Sequence, residues 1–342
     1  PVSTPKALQL PSGVRRLTIE TSRGKFAALE ALPPSGVRER QPALLVPGYT
    51  GSKEDFLLIL QALAAAGRQV VAIDMRGQFE TPGADDAAAY QLGELAADMA
   101  MVADWLSEGH DSAAGGDGRG GGRGVHLLGH SLGGLVTREV LLAQAARISS
   151  LTLMSSGPGA LSGPRAQVLQ ELLAELDSPG PDGLGADAQG TVTQGTVAEV
   201  TDRRDPDRLA AEVERIWRTR LQPEAVAGGV PAPIIDFLGT RLLSSSPTGL
   251  RAMAETLLTC PDRTPALAQL DAVPLMVLYG ENDDAWDPAA QEDMAARLRA
   301  QRICIPAAAH SPAVEAPETT ASTLTSFWNA TECRQARPSR SA

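Results

Sequence analysis

The stretch VHLLGHSLGGLVTREVLLAQA, residues 125–145, decides the fold. Its first third, VHLLGHS (125–131), is a short apolar run suited to a buried strand. The remainder, LGGLVTREVLLAQA (132–145), carries apolar residues at helical spacing. The strand passes into the helix through Gly129-His130-Ser131-Leu132-Gly133, so the serine sits on a sharp turn. Flanking glycines let strand and helix approach closely, and the turn aims the helix N-terminus at negative charge developing near the hydroxyl. A G-x-S-x-G pentapeptide is a weak signal in a chain with 33 glycines; its position between strand and helix makes it specific.

Outward from this turn, short apolar runs alternate with helical patterns, the mark of a mostly parallel sheet with helices on both faces. VRRLTIE (14–20) and KFAALEA (25–31) read as two leading strands, PALLVPG (42–48) as a buried strand, and KEDFLLILQALAAAG (53–67) as a helix closed by Gly67. QVVAIDM (69–75) is the next strand. QLGELAADMAMVADWL (91–106) then puts Leu92, Leu95, Met99, Val102 and Leu106 on one helical face. The glycine-rich 113–124 reads as a surface loop, ISSLTLMSS (148–156) as a strand. From 158 to 262 the rhythm changes to helical patterns around 166–176, 198–222, 232–244 and 247–259, with a polar loop at 178–196 and no convincing strand. Alternation resumes with VPLMVLYG (273–280), a helix at 289–300, RICI (302–305) and a helix at 319–330; the polar end from 334 reads as frayed. The expected organisation is a core of 1–157 and 263–335, a helical insertion at 158–262 and a tail at 336–342.

With 342 residues, 43% of them hydrophobic, the chain has the size of one large α/β domain with an insertion. Its net charge of −11 removes the global phosphate attraction on which nucleic-acid binding rests, so no nucleic-acid partner is expected. No apolar run has the length of a membrane helix, so no membrane partner is expected either. Three cysteines, Cys260, Cys304 and Cys333, form no close pair, which fits a reducing, cytoplasmic setting.

A serine hydroxyl needs a base to take its proton. Of the four histidines, His110 borders the glycine-rich loop, His126 lies within the nucleophile strand, and His130 adjoins Ser131 on a turn that aims neighbours apart; these read as surface or packing residues. His310, in the loop PAAAHSPAVEAPE after the last short strand, is the candidate base. A base of this kind needs a carboxylate to fix its tautomer. The turn after strand 273–280 holds Asp283, Asp284 and Asp287; Asp283, three residues past Gly280, is the candidate, with Asp284 open as the alternative. Oxyanion donors are expected from the Leu132 N–H and from the Tyr49 N–H in the glycine-flanked loop after LLVPG. Trp286, beside the acid, is a candidate substrate-binding residue. Ile216, Trp217, Ile234, Ile235, Phe237 and Leu238 are candidates to roof an apolar pocket.

VPGYTGSKEDF, GHSLGG, YGENDDAWDP and AAHSPAVEAPE, in this order, resemble the α/β-hydrolase family over nearly the whole chain. The resemblance implies an α/β-hydrolase fold: an eight-stranded, mostly parallel sheet with a helical cap inserted after the sixth strand. Many relatives carry a His before the oxyanion-loop glycine, where this chain has Pro47. The expected activity is hydrolysis of an ester or thioester on a small-molecule, apolar acyl substrate through Ser131, His310 and Asp283. No metal or organic cofactor is expected, because no ligand cluster or dinucleotide fingerprint is present. Carbon–carbon bond hydrolysis, acyl transfer, or a lyase or cyclisation step on the same residues is the alternative within enzymes. A non-catalytic ligand receptor is the alternative outside them.

Overall fold

Eight strands form one sheet in the order β1-β2-β4-β3-β5-β6-β7-β8. They are β1 Val14–Thr21, β2 Gly24–Ala31, β3 Ala43–Val46, β4 Val70–Ile73, β5 Val125–His130, β6 Ile148–Met154, β7 Leu275–Gly280 and β8 Gln301–Ile305. The computed structural model of the chain describes residues 4–109, 123–177 and 205–336. β2 runs antiparallel to both β1 and β4, and every pairing from β4 to β8 is parallel. β3, β4, β5 and β7 are buried along their whole length, which is why β3, β4 and β7 read as continuous apolar runs instead of alternating ones; β5 also buries His126 and His130.

Helices cover both faces. Leu57–Ala65 and the C-terminal helix Pro317–Gln335 pack on one, where Leu60, Leu63, Phe327 and Trp328 meet Leu45 and Leu128. Leu92–Ser107 and Leu132–Leu142 pack on the other, where Leu95, Met99, Val102 and Leu135 meet Leu44, Val46 and Leu127. After β3 the chain crosses outward to β4 and then returns to β5 on the opposite side of β3. Strand order reverses there, and the crevice at the carboxyl ends of β3 and β5 is where an open α/β sheet receives ligands.

Between β6 and β7 the described residues form helices alone: Gly163–Asp177, Pro206–Ile216, Gln222–Ala227, Ala232–Ser244, Pro247–Thr259 and Thr264–Leu267. The helical pattern expected to run unbroken to 222 widens into a π turn at Trp217–Leu221, where the Gln222 N–H bonds to the Trp217 carbonyl. Pro223 follows and has no N–H to continue an ordinary helical ladder. Both ends of this insertion are tied to the helix Leu132–Leu142. Arg138 donates to the Pro158 carbonyl at 2.6 Å and to the Pro261 carbonyl at 3.2 Å.

Two boundaries differ from the sequence expectation. The helix expected from 53 begins as a 3-10 turn, Lys53–Phe56, with Ser52 and Asp55 in a reciprocal capping box. The last helix starts at Pro317 and continues to Gln335, beyond 330 and into the end expected to fray. Burial of Trp328 and Thr331 and the pairing of Glu332 with Arg68 at 2.8 Å hold that last stretch in place. His110, the glycine-rich stretch as far as 122, the 178–196 loop, the start of the 198–222 pattern and the end of the tail lie outside the described residues. Among the described residues no helix is long and apolar enough to cross a membrane.

Candidate active site

Ser131 follows β5 with φ 55° and ψ −119°, a strained backbone for a non-glycine residue. The turn is held from outside: the Ser131 N–H donates to the Met154 carbonyl of β6 at 2.9 Å. The elbow's glycines answer to close approach. A Cβ on Gly129 would lie 2.2 Å from the Gly133 carbonyl oxygen, and one on Gly133 would lie 2.5 Å from the carbonyl oxygens of Val46 and Pro47. Larger residues at either position would push the helix off the sheet or the β3 loop off the elbow.

His310 reaches the serine from the loop after β8. Its Nε2 is 3.0 Å from Ser131 Oγ, and its Nδ1 is 2.9 Å from Asp283 Oδ1. Asp283 lies in the turn after β7 and is itself gripped: Oδ1 accepts the Ala285 N–H at 2.9 Å and Oδ2 accepts Gln291 Nε2 at 2.9 Å. Burial alone would raise its carboxyl; the hydrogen bond and charge of His310, with the donors from Ala285 and Gln291, outweigh burial and hold it below the ordinary carboxylate range. The carboxylate is therefore ionised at neutral pH. It accepts a hydrogen bond from Nδ1–H, which leaves Nε2 unprotonated and free to accept from the serine.

Asp284, one residue on, faces elsewhere. Its two oxygens take the fork of Arg165 at 2.6 and 3.2 Å, tying the first helix of the insertion to the acid turn. The structure thus brings Ser131, His310 and Asp283 together and leaves Asp284 on a different partner.

A cavity of about 600 Å³ opens onto this chain of bonds. Gly48, Tyr49, Ser131 and His310 line one end; Leu169, Leu172, Ile216, Leu238, Leu250 and Leu257 supply apolar walls, with Arg165, Arg220 and Glu224 among the remaining lining. Tyr49 packs against these walls, and burial raises its phenol, so it stays neutral. Leu132, whose N–H follows the serine, is fully buried at the start of its helix. Three pocket candidates from the sequence fall outside the lining. Ile234, Ile235 and Phe237 pack among themselves and against Trp217 and Leu238, which do line the cavity. Trp286 is also outside: its ring fills the space beside Gly157, its Nε1–H donates to the Gly159 carbonyl at 3.1 Å, and Ala285 faces the cavity instead. A second hollow of about 370 Å³, between residues 79–85 and 244–247, contains none of these groups.

Four supporting residues carried no signal in the sequence: Gln291 on the acid, Arg165 on Asp284, Gln78 on the Gly48 carbonyl at 2.8 Å, and His130 on the His310 carbonyl at 2.7 Å. His126, the other strand histidine, is a packing residue. It stacks on Trp328, with Ser150 at 2.8 Å and Glu332 at 3.2 Å.

An eight-stranded, mostly parallel sheet with a strained serine on the turn after its fifth strand defines the class of α/β hydrolases. The chain belongs to the alpha/beta hydrolase family, whose sequence profile matches residues 43–323. Over 148 residues it is 34% identical to RutD of Variovorax paradoxus, provisionally named a carbamate hydrolase. That match covers 43% of this chain and 49% of RutD, so the chain spans about half the length of the curated relative it matches. Among solved structures it is similar to a thermophilic esterase from Thermogutta terrifontis, with 21% identity and a TM-score of 0.59 over 93% of this chain and 99% of that one. It is also similar to an N-acyl homoserine lactonase, AidH, with 19% identity and a TM-score of 0.61 over 95% and 99%. At such identities the likeness is one of fold.

Proposed function

We propose that the chain is a serine hydrolase that cleaves an ester or thioester through an acyl-enzyme. The observation that carries this reading is the unbroken series Asp283 Oδ1, His310 Nδ1, His310 Nε2, Ser131 Oγ, with spacings of 2.9 and 3.0 Å, at the end of an apolar cavity. His310 Nε2 takes the serine proton as Oγ attacks the carbonyl carbon, and Asp283 stabilises the imidazolium. The oxyanion is received by the N–H groups of Tyr49 and Leu132. His310 returns its proton to the departing alcohol or thiol, and then activates water to release the acid. The helices of 158–262 act as a cap over a core of 1–157 and 263–335, and their leucines receive the apolar acyl part of a small-molecule substrate.

A carbamate or lactone carbonyl undergoes the same attack, and the names of RutD and AidH are reasons to include both in a substrate panel. The test is labelling by a fluorophosphonate and turnover of p-nitrophenyl esters and acyl thioesters, in the wild type and in Ser131→Ala. Labelling and turnover are expected in the wild type and not in the variant. Undiminished turnover by Ser131→Ala overturns the reading.

A further inference from the structure

Gly48 and Tyr49 share one peptide unit, and the direction in which that unit faces decides whether the Tyr49 N–H is available to an oxyanion. Its carbonyl oxygen accepts two hydrogen bonds, from the Gly51 N–H at 3.1 Å and from Gln78 Nε2 at 2.8 Å. The first is the bond of a local turn, one whose third residue, Thr50, has φ 54°, a left-handed conformation that costs a β-branched residue energy. A strained turn between two glycines is a poor device for fixing a peptide plane, since Gly48 and Gly51 allow easy rotation. The second bond comes from outside the turn, from a side chain 30 residues away.

Gln78 is built to hold. It is 1% exposed, and its own amide is oriented because Oε1 accepts the Met75 N–H at 3.1 Å, leaving Nε2 to donate. Its backbone is closed into the loop after β4 by Gln78 N–H to Met75 C=O and Thr81 N–H to Gln78 C=O, both at 2.9 Å. In a trans peptide the carbonyl and the N–H point to opposite sides, and no cis bond occurs among the described residues. Pinning the Gly48 carbonyl to Gln78 therefore turns the Tyr49 N–H away from Gln78.

We infer that Gln78 is a positioning residue for the oxyanion hole: by gripping the Gly48 carbonyl it holds the Tyr49 N–H toward the cavity shared with Ser131. The inference rests on the serine-hydrolase reading above. Gln78 touches no substrate; it acts through one peptide plane, so its loss acts on transition-state stabilisation more than on ground-state binding.

The experiment is kcat and KM of wild type, Gln78→Glu, Gln78→Asn and Ser131→Ala on one p-nitrophenyl acyl ester between pH 5 and 8.5. Removing an oxyanion donor costs roughly 100- to 1,000-fold, and displacing one costs less, so about 10- to 100-fold in kcat with KM within about twofold is expected for both Gln78 variants. Gln78→Glu carries a second readout. Ionised, its carboxylate faces the Gly48 carbonyl and repels it; protonated, it donates as the amide did. The ratio of Gln78→Glu to wild-type kcat should therefore rise as pH falls, while the Gln78→Asn ratio stays flat. The charged groups around this loop are Lys53, which pairs with Asp74 at 2.6 Å, Glu80 at 2.8 Å and Glu54 at 3.3 Å, and Arg241, which pairs with Asp55 at 2.9 Å; burial pushes Asp74 up to about 7, inside the assayed range, and because Asp74 is present in every enzyme the Gln78→Asn ratio is the control for its titration. Normal kcat in both Gln78 variants beside an inactive Ser131→Ala overturns this inference alone, as does a change confined to KM or a pH-independent Gln78→Glu ratio. Turnover by Ser131→Ala overturns the underlying reading. If Gln78→Glu does not fold, the kcat and KM of Gln78→Asn decide.

Discussion

His130 Nε2 lies 2.7 Å from the backbone carbonyl of His310, so the residue before the candidate nucleophile holds the loop of the candidate base. A carbonyl only accepts, so His130 carries its proton on Nε2. Burial above all, with repulsion from Arg165 and from His310 whenever that ring is protonated, pushes this imidazole down to about 3 and keeps it neutral. His130→Phe removes the donor and leaves a buried carbonyl unpaired, a cost of about 1–3 kcal/mol. A lower Tm and a kcat reduced by about tenfold are expected, since 1.4 kcal/mol of lost positioning is a factor of ten. Thermal melts and kinetics of the variant check this; unchanged values would remove His130 from the support of the site.

Stability should fall as pH drops below the histidine range. His130 and His126 are both held below 6.5, first by burial, so between that value and their folded values the unfolded chain binds more protons than the native one. Each adds a slope of about 1.4 kcal/mol per pH unit while inside its window. Urea midpoints at pH 7.5, 6 and 5 should decline, and more gently in His130→Phe. Equal slopes in the two proteins would contradict the burial of a neutral His130.

Asp283 and Asp284 separate by mutation. Asp283→Asn loses the acceptor that fixes the His310 tautomer and should lower kcat by roughly 10⁴-fold. Asp284→Asn weakens only the clasp on Arg165, half of which faces water, and should cost about tenfold or less. Both are measured on one substrate at one pH, and a reversed order would mean that the acid is Asp284.

Leu172 is half-buried and lines the cavity, so a larger side chain there fills ligand space without forcing core packing apart. Leu172→Trp should leave acetyl ester hydrolysis within about threefold and reduce kcat/KM for long acyl esters by tenfold or more, a loss of about 1.4 kcal/mol or more. A chain-length series checks this. An unchanged series would place the acyl group elsewhere.

Arg138 joins the nucleophile helix to both ends of the helical insertion, through Pro158 and Pro261. Arg138→Met leaves two carbonyls without that donor, at about 1–3 kcal/mol each. Faster limited proteolysis within 158–262 than in the rest of the chain is the expected result. A cleavage pattern identical to wild type would show that the clamp carries no load.

Much of this protein was legible along the chain because its determinants are local. A strand that turns directly into a helix around a serine is written in ten consecutive residues, and buried parallel strands announce themselves as apolar runs at 43–46, 70–73 and 275–280. His310 is legible by elimination among four histidines, and Asp283 by its distance from a strand-ending glycine. Periodicity also marked 158–262 as helical.

What periodicity does not say is which neighbour a buried face meets. Trp217 and Ile235 are both buried apolar residues of the insertion and share one cluster, yet only Trp217 lines the cavity. Trp286 stands three residues from Asp283 and turns to Gly159 instead of the cavity. Asp283 and Asp284 are chemically identical, and only the positions of His310 and Arg165, brought by distant segments, give them different work. The same holds for Gln78 on Gly48 and His130 on His310: each is one side chain bonded to one backbone carbonyl. Every residue offers the same backbone carbonyl whatever its side chain, so such a partnership leaves no pattern in a sequence, and folding alone selects it by bringing donor and acceptor within 3 Å.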